Sequence, residues 1–198
     1  MMGGDGPPTR PPFELPAPRV ATRADLPALA ALVEAAVAEL QRPFLDAAQI
    51  AASRAVMGVD TRLVDDGTYL VVDGPPGGPP LAAGGGWSFR ATPFGGDHAA
   101  GRDDRVLDPG REAARVRAMY THPALARRGL GRRVLAACEA AARQAGFRRA
   151  ELVATLAGVP LYRAAGYVEV ERFEAGPAAG VRVPLVRMTK SLAPTPTP

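Results

Sequence analysis

The stretch HPALARRGLGRRVL, residues 122–135, contributes most to a prediction of the fold. A proline and two arginines lead into two closely spaced glycines, and a run with helical spacing follows at once. The first N–H groups of a helix have no partner within it, and glycines let a ligand approach them closely. The stretch therefore predicts a turn that binds an anion, for which a phosphate is the usual candidate.

On both sides of this turn, the chain alternates between helical and strand patterns. Asp25 is placed to cap the first helix, and Pro27 falls in its first turn. The helix after the turn should end at Gly146, and its predicted buried face consists of Val134, Leu135, Cys138, Ala141, Ala142 and Ala145. The order strand, helix, helix, three strands, helix, strand, helix and two strands predicts an α/β fold, a mixed sheet with helices on both faces.

The composition limits the class of protein. The chain has 198 residues, 47% of them hydrophobic, which suits one domain with a sizeable core. Cys138 is the single cysteine, so no intrachain disulfide can form. Neither a long apolar run nor a basic leader points to a membrane or to secretion, so we expect a cytoplasmic protein.

Charge and end composition add further expectations. The net charge is +4, but the aromatic residues are few and scattered, so no nucleic-acid partner is expected. Two histidines and one cysteine predict no metal site. Residues 1–18 and 193–198 are rich in proline and are expected to be a disordered arm and tail, which leaves residues 19–192 as the domain.

Three kinds of phosphate site compete for residues 127–132. A P-loop needs a lysine and a hydroxyl after its last glycine, and this turn has neither. A dinucleotide fold needs a third glycine where Val134 stands, and the element order differs. The third kind is a coenzyme A pyrophosphate site, which needs a strand, a glycine turn and the N-terminus of a helix.

Two motifs together resemble the GNAT superfamily of acetyl-CoA-dependent N-acetyltransferases. MYTHPALARRGLGRRVL, residues 119–135, resembles the family's hydrophobic-x-Val-x-Pro stretch that leads into Gln/Arg-x-x-Gly-x-Gly/Ala. TLAGVPLYRAAGY, residues 155–167, resembles Asn-x-x-Ala-x-x-Leu-Tyr-x-x-x-Gly-Phe/Tyr. The resemblance covers residues 19–192 and implies a mostly antiparallel sheet of about seven strands.

The resemblance also implies roles for individual residues. Tyr162 matches the tyrosine near the coenzyme sulfur, where a phenol can protonate the departing thiolate as a general acid. One N–H near Met119 or Tyr120 would stabilise the thioester oxygen. The family's Gln/Arg, valine and asparagine are replaced here by Ala126, Thr121 and Thr155. The residues expected to bind acetyl-CoA are Met119, Tyr120, Thr121, Arg127, Arg128, Gly129, Leu130, Gly131, Arg132 and Thr155.

The acceptor side is less defined by the sequence. Arg115 and Arg117 share a strand face and either bind an acidic substrate or pair with acids such as Asp97, Asp103, Asp104 or Glu112. Trp87 either walls the acceptor pocket or belongs to the core. The candidates for the base that deprotonates the amine are His98, Asp97, Glu112 and a chain of water molecules.

The sequence thus predicts an N-acetyltransferase that works by direct attack in a ternary complex. No acyl-enzyme is expected, because Cys138 falls on a buried helix face. The acceptor is expected to be a small-molecule amine, with an acidic or zwitterionic one favoured by the two arginines, and a homodimer is compatible with the family. The alternative is a non-catalytic module of the same fold that binds or senses acyl-CoA.

Overall fold

The structure, a computed structural model, describes residues 14–99, 101–176 and 180–193. Seven strands form one sheet in the order β1-β2-β3-β4-β5-β7-β6, in which only β4 and β5 are parallel. The strands are β1 (Arg19–Val20), β2 (Tyr69–Asp73), β3 (Leu81–Ser88), β4 (Ala114–Thr121), β5 (Arg149–Thr155), β6 (Val168–Ala175) and β7 (Val183–Ser191). The helices are α1 (Leu26–Leu40), α2 (Ala47–Ser53), α3 (Thr61–Asp65), α4 (Leu130–Gln144) and α5 (Val159–Ala164).

The predicted fold class is confirmed, including helices on both faces of the sheet. Val71 packs in a core with Leu29 of α1, whereas its neighbour Val72 packs in a core with Val134 of α4. Successive side chains of a strand point to opposite faces, so the two valines define the two layers. The sequence pattern had not indicated α3, because five residues are too few for a helical period to show.

The ends of the two long helices differ in part from the prediction. Asp25 does not cap α1, because its carboxylate accepts hydrogen bonds from Thr22 and Arg19 instead. Pro27 does lie in the first turn of α1. Gly146 follows α4 with φ +92°, as a C-terminal glycine should. Ala145 was assigned to the buried face but is exposed, since it lies beyond the last helical residue.

One charged residue is buried on α4. Glu139 is 4% exposed, and Lys190 of β7 donates to its two carboxylate oxygens at 2.7 and 2.8 Å. Arg143, one turn further along α4, also reaches this carboxylate, at 3.2 Å. A buried charge is tolerated when it is paired, so this ion pair joins the helix to the sheet.

The two parallel strands separate along their length. The ladder between β4 and β5 runs only from Ala114 to Val116, although both strands continue beyond it. Next to the point of separation, β4 bulges away from its other neighbour. Ala118 and Met119 together face one residue of β3, and Ala118 has φ +51°. The two strands are therefore paired at one end and separated at the other.

The ends of the chain lie partly outside the described residues. Residues 1–13 and 194–198, which belong to the predicted disordered arm and tail, lie outside the described residues. Residues 14–18 have no regular secondary structure, but Leu15 packs against the main core. Arg133 of α4 donates to the carbonyl oxygens of Leu15 and Pro16, at 3.1 and 2.7 Å. This part of the arm is therefore attached to the domain.

Candidate functional site

A cavity of about 890 Å³ occupies the gap between β4 and β5. One side is formed by the turn before α4 and by α5, and the other by loops that follow α1, α2 and β3. Of the residues predicted to bind the cofactor or act in catalysis, the structure brings together at this cavity Met119, Tyr120, Thr121, Arg127, Gly129, Leu130, Gly131, Arg132, Thr155 and Tyr162. Arg128 belongs to the same turn but does not line the cavity.

The turn before α4 exposes backbone donors to the cavity. The first helical hydrogen bond is donated by the N–H of Arg133 to Gly129, at 3.1 Å. Within the described part of the chain, the six N–H groups of residues 127–132 have no hydrogen-bond partner. Such groups at a helix N-terminus attract an anion, and the helix dipole adds to the attraction.

Two positions in this turn have left-handed backbone conformations. Gly129 has φ +79°, which glycine adopts without strain, and it is the N-terminal cap of α4. Arg127 has φ +66°, which is unusual for a residue with a side chain. Gly131 is needed for a different reason: a Cβ there would lie 3.1 Å from Leu161 Cδ2 on α5. The glycines therefore shape the turn and let α4 approach α5.

The side chains of the turn make this end of the cavity positive. Arg127, Arg128 and Arg132 form no ion pair with the described residues, in contrast to most arginines of the chain. Unpaired guanidinium groups beside free N–H groups suit a ligand with several phosphate oxygens.

The middle of the cavity is bordered by the bulged part of β4. The hydroxyl of Tyr69, a fully buried residue, donates to the carbonyl oxygen of Ala118 at 2.8 Å. Tyr120 accepts from the N–H of Gly58 at 3.2 Å and donates to its carbonyl oxygen at 3.3 Å. These bonds hold the backbone on both sides of Met119 in place, where the cavity passes between the strands.

Tyr162 lines the cavity from α5 and is 7% exposed. Burial raises the pKa of its phenol well above the usual value for tyrosine. The ring packs edge-on against Tyr167, with ring centroids 5.8 Å apart. A neutral phenol is the form that can donate a proton, so the environment maintains Tyr162 as a donor over a wide pH range.

Thr155 has a partner that the sequence did not suggest. The Nε2 of Gln41, which follows α1, donates to Thr155 Oγ1 at 3.3 Å, and both residues line the cavity. Gln41 is 4% exposed, and its Oε1 has no hydrogen-bond partner among the described residues. An unpaired buried acceptor is costly unless a ligand supplies a donor. Gln41 is thus a candidate contact for an amide N–H of a bound ligand.

The two arginines expected to face the acceptor have different positions. Arg115 pairs with Glu151 of β5 and does not line the cavity, so the expectation of two adjacent cations in the acceptor site is wrong. Arg117 lines the cavity, but its Nη2 lies 2.6 Å from Oδ2 of Asp60, which is fully buried. Arg102 pairs with the other oxygen of Asp60 at 3.0 Å. Both partner acids differ from those that the sequence suggested, because the pairings join distant parts of the chain.

The other candidate residues lie away from the cavity. Trp87 belongs to the core, where its ring packs edge-on against Phe89 and Phe147 with centroids 6.1 Å apart. Asp97 accepts from the N–H of Thr61 at 3.0 Å and so helps to begin α3. Glu112 is paired with Arg105, which holds the pKa of that carboxyl down at about 2.

None of the three residues that the sequence offered as the base lines the cavity. Asp97, His98 and Glu112 are not among the residues that line it. Within the described ranges, Glu39 of α1 is the one carboxylate that does, and it is exposed and paired with Arg42 at 3.0 Å. Its position on a solvent-facing part of a helix gave no signal in the sequence.

Comparisons with known proteins found a partial match to a family model and several similar folds. Residues 95–169 match the family model described as the acetyltransferase (GNAT) domain. The fold is similar to a GCN5-related N-acetyltransferase from Rhodopseudomonas palustris, with 17% identity, a TM-score of 0.63 and coverage of 92% of this chain and 99% of that chain. It is also similar to a ribosomal-protein-alanine N-acetyltransferase from Brucella melitensis, with 21% identity, a TM-score of 0.57 and coverage of 88% and 98%.

A third similar structure is a GNAT superfamily phosphinothricin acetyltransferase from Sinorhizobium meliloti in complex with acetyl-CoA. It has 18% identity and a TM-score of 0.57, with 88% of this chain and 87% of that chain covered. No protein of curated function matches the sequence. In the part of the chain that the structure describes, no helix is long and apolar enough to cross a membrane. At these identities, the three structures support the fold alone.

Proposed function

We propose that this chain, whose residues 95–169 match the family model of the acetyltransferase (GNAT) domain, is an acyltransferase of that family and moves an acetyl group from acetyl-CoA to a primary amine. The observation that carries the proposal is one continuous cavity that joins the free N–H groups of residues 127–132 to Tyr162 and to the gap between β4 and β5. An elongated ligand with phosphates at one end and a thioester at the other fits this arrangement.

Each part of the cavity has a role in the proposed reaction. The turn before α4 binds the pyrophosphate, and the separated β4 presents main-chain groups to the pantetheine arm. The amine attacks the thioester carbon directly, while an N–H near Met119 or Tyr120 stabilises the carbonyl oxygen as it gains charge. Tyr162 donates its proton to the thiolate that leaves, and the phenol regains a proton from solvent after release of the products.

Two features support direct transfer without an acyl-enzyme. Cys138 is fully buried, and burial raises the pKa of its thiol to about 12, so it is a poor nucleophile. It also lies on the core side of α4 and does not line the cavity. The proton released by the amine passes to water or to Glu39, the lining carboxylate within the described ranges.

The test is acetyl transfer to a panel of primary amines by the wild type and by Tyr162→Phe. We expect Tyr162→Phe to lower turnover by roughly 10²–10⁴-fold, with the affinity for acetyl-CoA nearly unchanged. Tyr167→Phe is the matched control, because it removes a neighbouring hydroxyl that does not line the cavity. Acetyl-CoA binding without transfer to any amine would instead favour a module that binds or senses acyl-CoA.

A further inference from the structure

The side of the cavity opposite the phosphate turn has an apolar wall. Its side chains come from the loops after α1, α2 and β3 and from strands β5 and β7. This surface, here called the acceptor cleft, includes Phe44, Val56, Met57, Phe94, Val153 and Leu185. When an apolar ligand displaces water from apolar side chains that face a cavity, the burial of both surfaces makes binding more favourable.

The wall of the acceptor cleft is anchored in a separate small core. Leu185 is a buried member of this core, and Val56, Phe94 and Val153 pack against it. The ring of Phe94 also contacts Phe173 of β6, with centroids 5.9 Å apart. Phe44 is 44% exposed and forms the outer rim. The cleft therefore has fixed apolar sides and one apolar side chain at its edge that a ligand would cover.

Charged groups in this part of the cavity are already engaged. The side chain of Arg117 is 3% exposed, and it is bound by Asp60 at 2.6 Å and by the carbonyl oxygen of Gly95 at 2.8 Å. A ligand carboxylate would lose its hydration in the cleft without gaining a free cation. A second ammonium group would meet only Glu39, which is exposed and bound to Arg42.

We propose that the preferred acceptor is a primary amine attached to one apolar group, aryl or branched alkyl, with no second charge. The apolar group occupies the acceptor cleft and places the nitrogen beside β4, where the thioester lies. This inference rests on the proposed function, in which an amine is the acetyl acceptor. It replaces the acidic or zwitterionic acceptor that the sequence favoured.

The experiment uses three matched aryl amines and one polyamine. We would compare kcat/KM for 2-phenylethylamine, phenylalaninamide and phenylalanine, which differ in a neutral amide or a carboxylate, and for spermidine, which has additional ammonium groups and no aryl group. The expected order places 2-phenylethylamine first, with phenylalaninamide next and phenylalanine and spermidine at least tenfold below the first. Calorimetry of the same amines with the protein saturated with CoA measures acceptor binding independently of transfer.

Two variants test the location. Val56→Arg places an unpaired cation in the acceptor cleft at a partly exposed position, so it should move the preference toward phenylalanine by at least tenfold. Val168→Arg makes the same change on an exposed position of β6 outside the cavity, and it should leave the order unchanged. Circular dichroism of both variants shows that each is folded.

The outcomes separate this inference from the proposed function. Transfer that favours phenylalanine or spermidine in the wild type, or a Val56→Arg variant that behaves like Val168→Arg, overturns the inference and leaves acetyl transfer standing. Selective binding of 2-phenylethylamine without transfer supports the acceptor cleft and contradicts the proposed function. If the protein neither binds nor acetylates any of the four amines, both the inference and the proposed function are overturned.

Discussion

Replacement of Gly131 by glutamate or by glutamine tests whether the turn before α4 binds pyrophosphate. The two side chains have nearly the same size, and both must be accommodated 3.1 Å from Leu161 Cδ2. Their steric effects should therefore be similar, and the difference between them isolates one negative charge. A glutamate in the first turn of a helix is also favourable for the helix dipole, so we expect both variants to fold.

The magnitude follows from the short distance between this position and the proposed phosphate site. Two unit charges about 5 Å apart repel by about 3 kcal/mol at an effective dielectric constant of about 20. Screening and side-chain movement reduce this value, so we expect Gly131→Glu to weaken acetyl-CoA binding at least tenfold relative to Gly131→Gln, about 1.4 kcal/mol. The difference in acetyl-CoA affinity between the two variants should decrease as the salt concentration rises.

The assay is calorimetry with acetyl-CoA and with pantetheine, which lacks the pyrophosphate. The Glu and Gln variants should differ for acetyl-CoA and bind pantetheine equally. Equal acetyl-CoA affinities for the two variants at low salt would refute the assignment of the pyrophosphate to this turn. A loss of pantetheine affinity as large as the loss of acetyl-CoA affinity would show that the substitution acts through packing against α5 instead.

Three further predictions concern the buried polar groups. Asp60→Asn should destabilise the fold by about 3–5 kcal/mol in urea unfolding, because it removes the charge between two arginines. Asp65→Asn at an exposed ion pair should change stability by less than about 1 kcal/mol. Similar losses of stability in the two variants would contradict the structural role of the buried Asp60. Burial raises the pKa of Tyr120 to about 12, so the stability that it contributes is complete below about pH 10 and is lost as the pH rises toward 12, with a slope of up to about 1.4 kcal/mol per pH unit in urea titrations. Tyr120→Phe should make this decline of stability with pH shallower, and the same slope in the variant and the wild type would contradict the prediction. Tyr69→Phe should cost about 1 kcal/mol of stability and lower turnover about tenfold, because the carbonyl of Ala118 loses its donor and the bulge its fixed position; full turnover would show that the bulge does not need the bond.

The sequence predicted the elements whose signals are local. The two glycines and the helical run after them identified the turn at residues 127–132, and the resemblance of residues 155–167 to the GNAT family indicated Tyr162, which lines the same cavity. Strand and helix order followed from hydrophobic periodicity, which depends on neighbours a few positions apart. The individual residues expected on the cofactor side of the cavity came instead from the resemblance of two motifs to the GNAT family.

The acceptor half could not be anticipated in this way, because it depends on contacts between distant segments. The pairing of Arg117 with Asp60 joins β4 to the residue before α3, and Arg115 meets Glu151 only because β4 and β5 are parallel in one register. The positive φ values of Ala118 and Arg127 have no sequence signature, since neither is a glycine. Charge alone therefore suggested two cations in the acceptor site, whereas the structure shows both arginines engaged in ion pairs.

The ion pair between Lys190 and Glu139 has a chemical consequence for the proposed acetyl transfer. Lys190 is the only lysine of the chain, and its nitrogen is bound by both carboxylate oxygens of a buried residue. The remaining strongly basic side chains are arginines, whose guanidinium groups stay protonated and do not attack thioesters. The side chains thus present no free amine for self-acylation, and reagents that label lysines would find a single, shielded target.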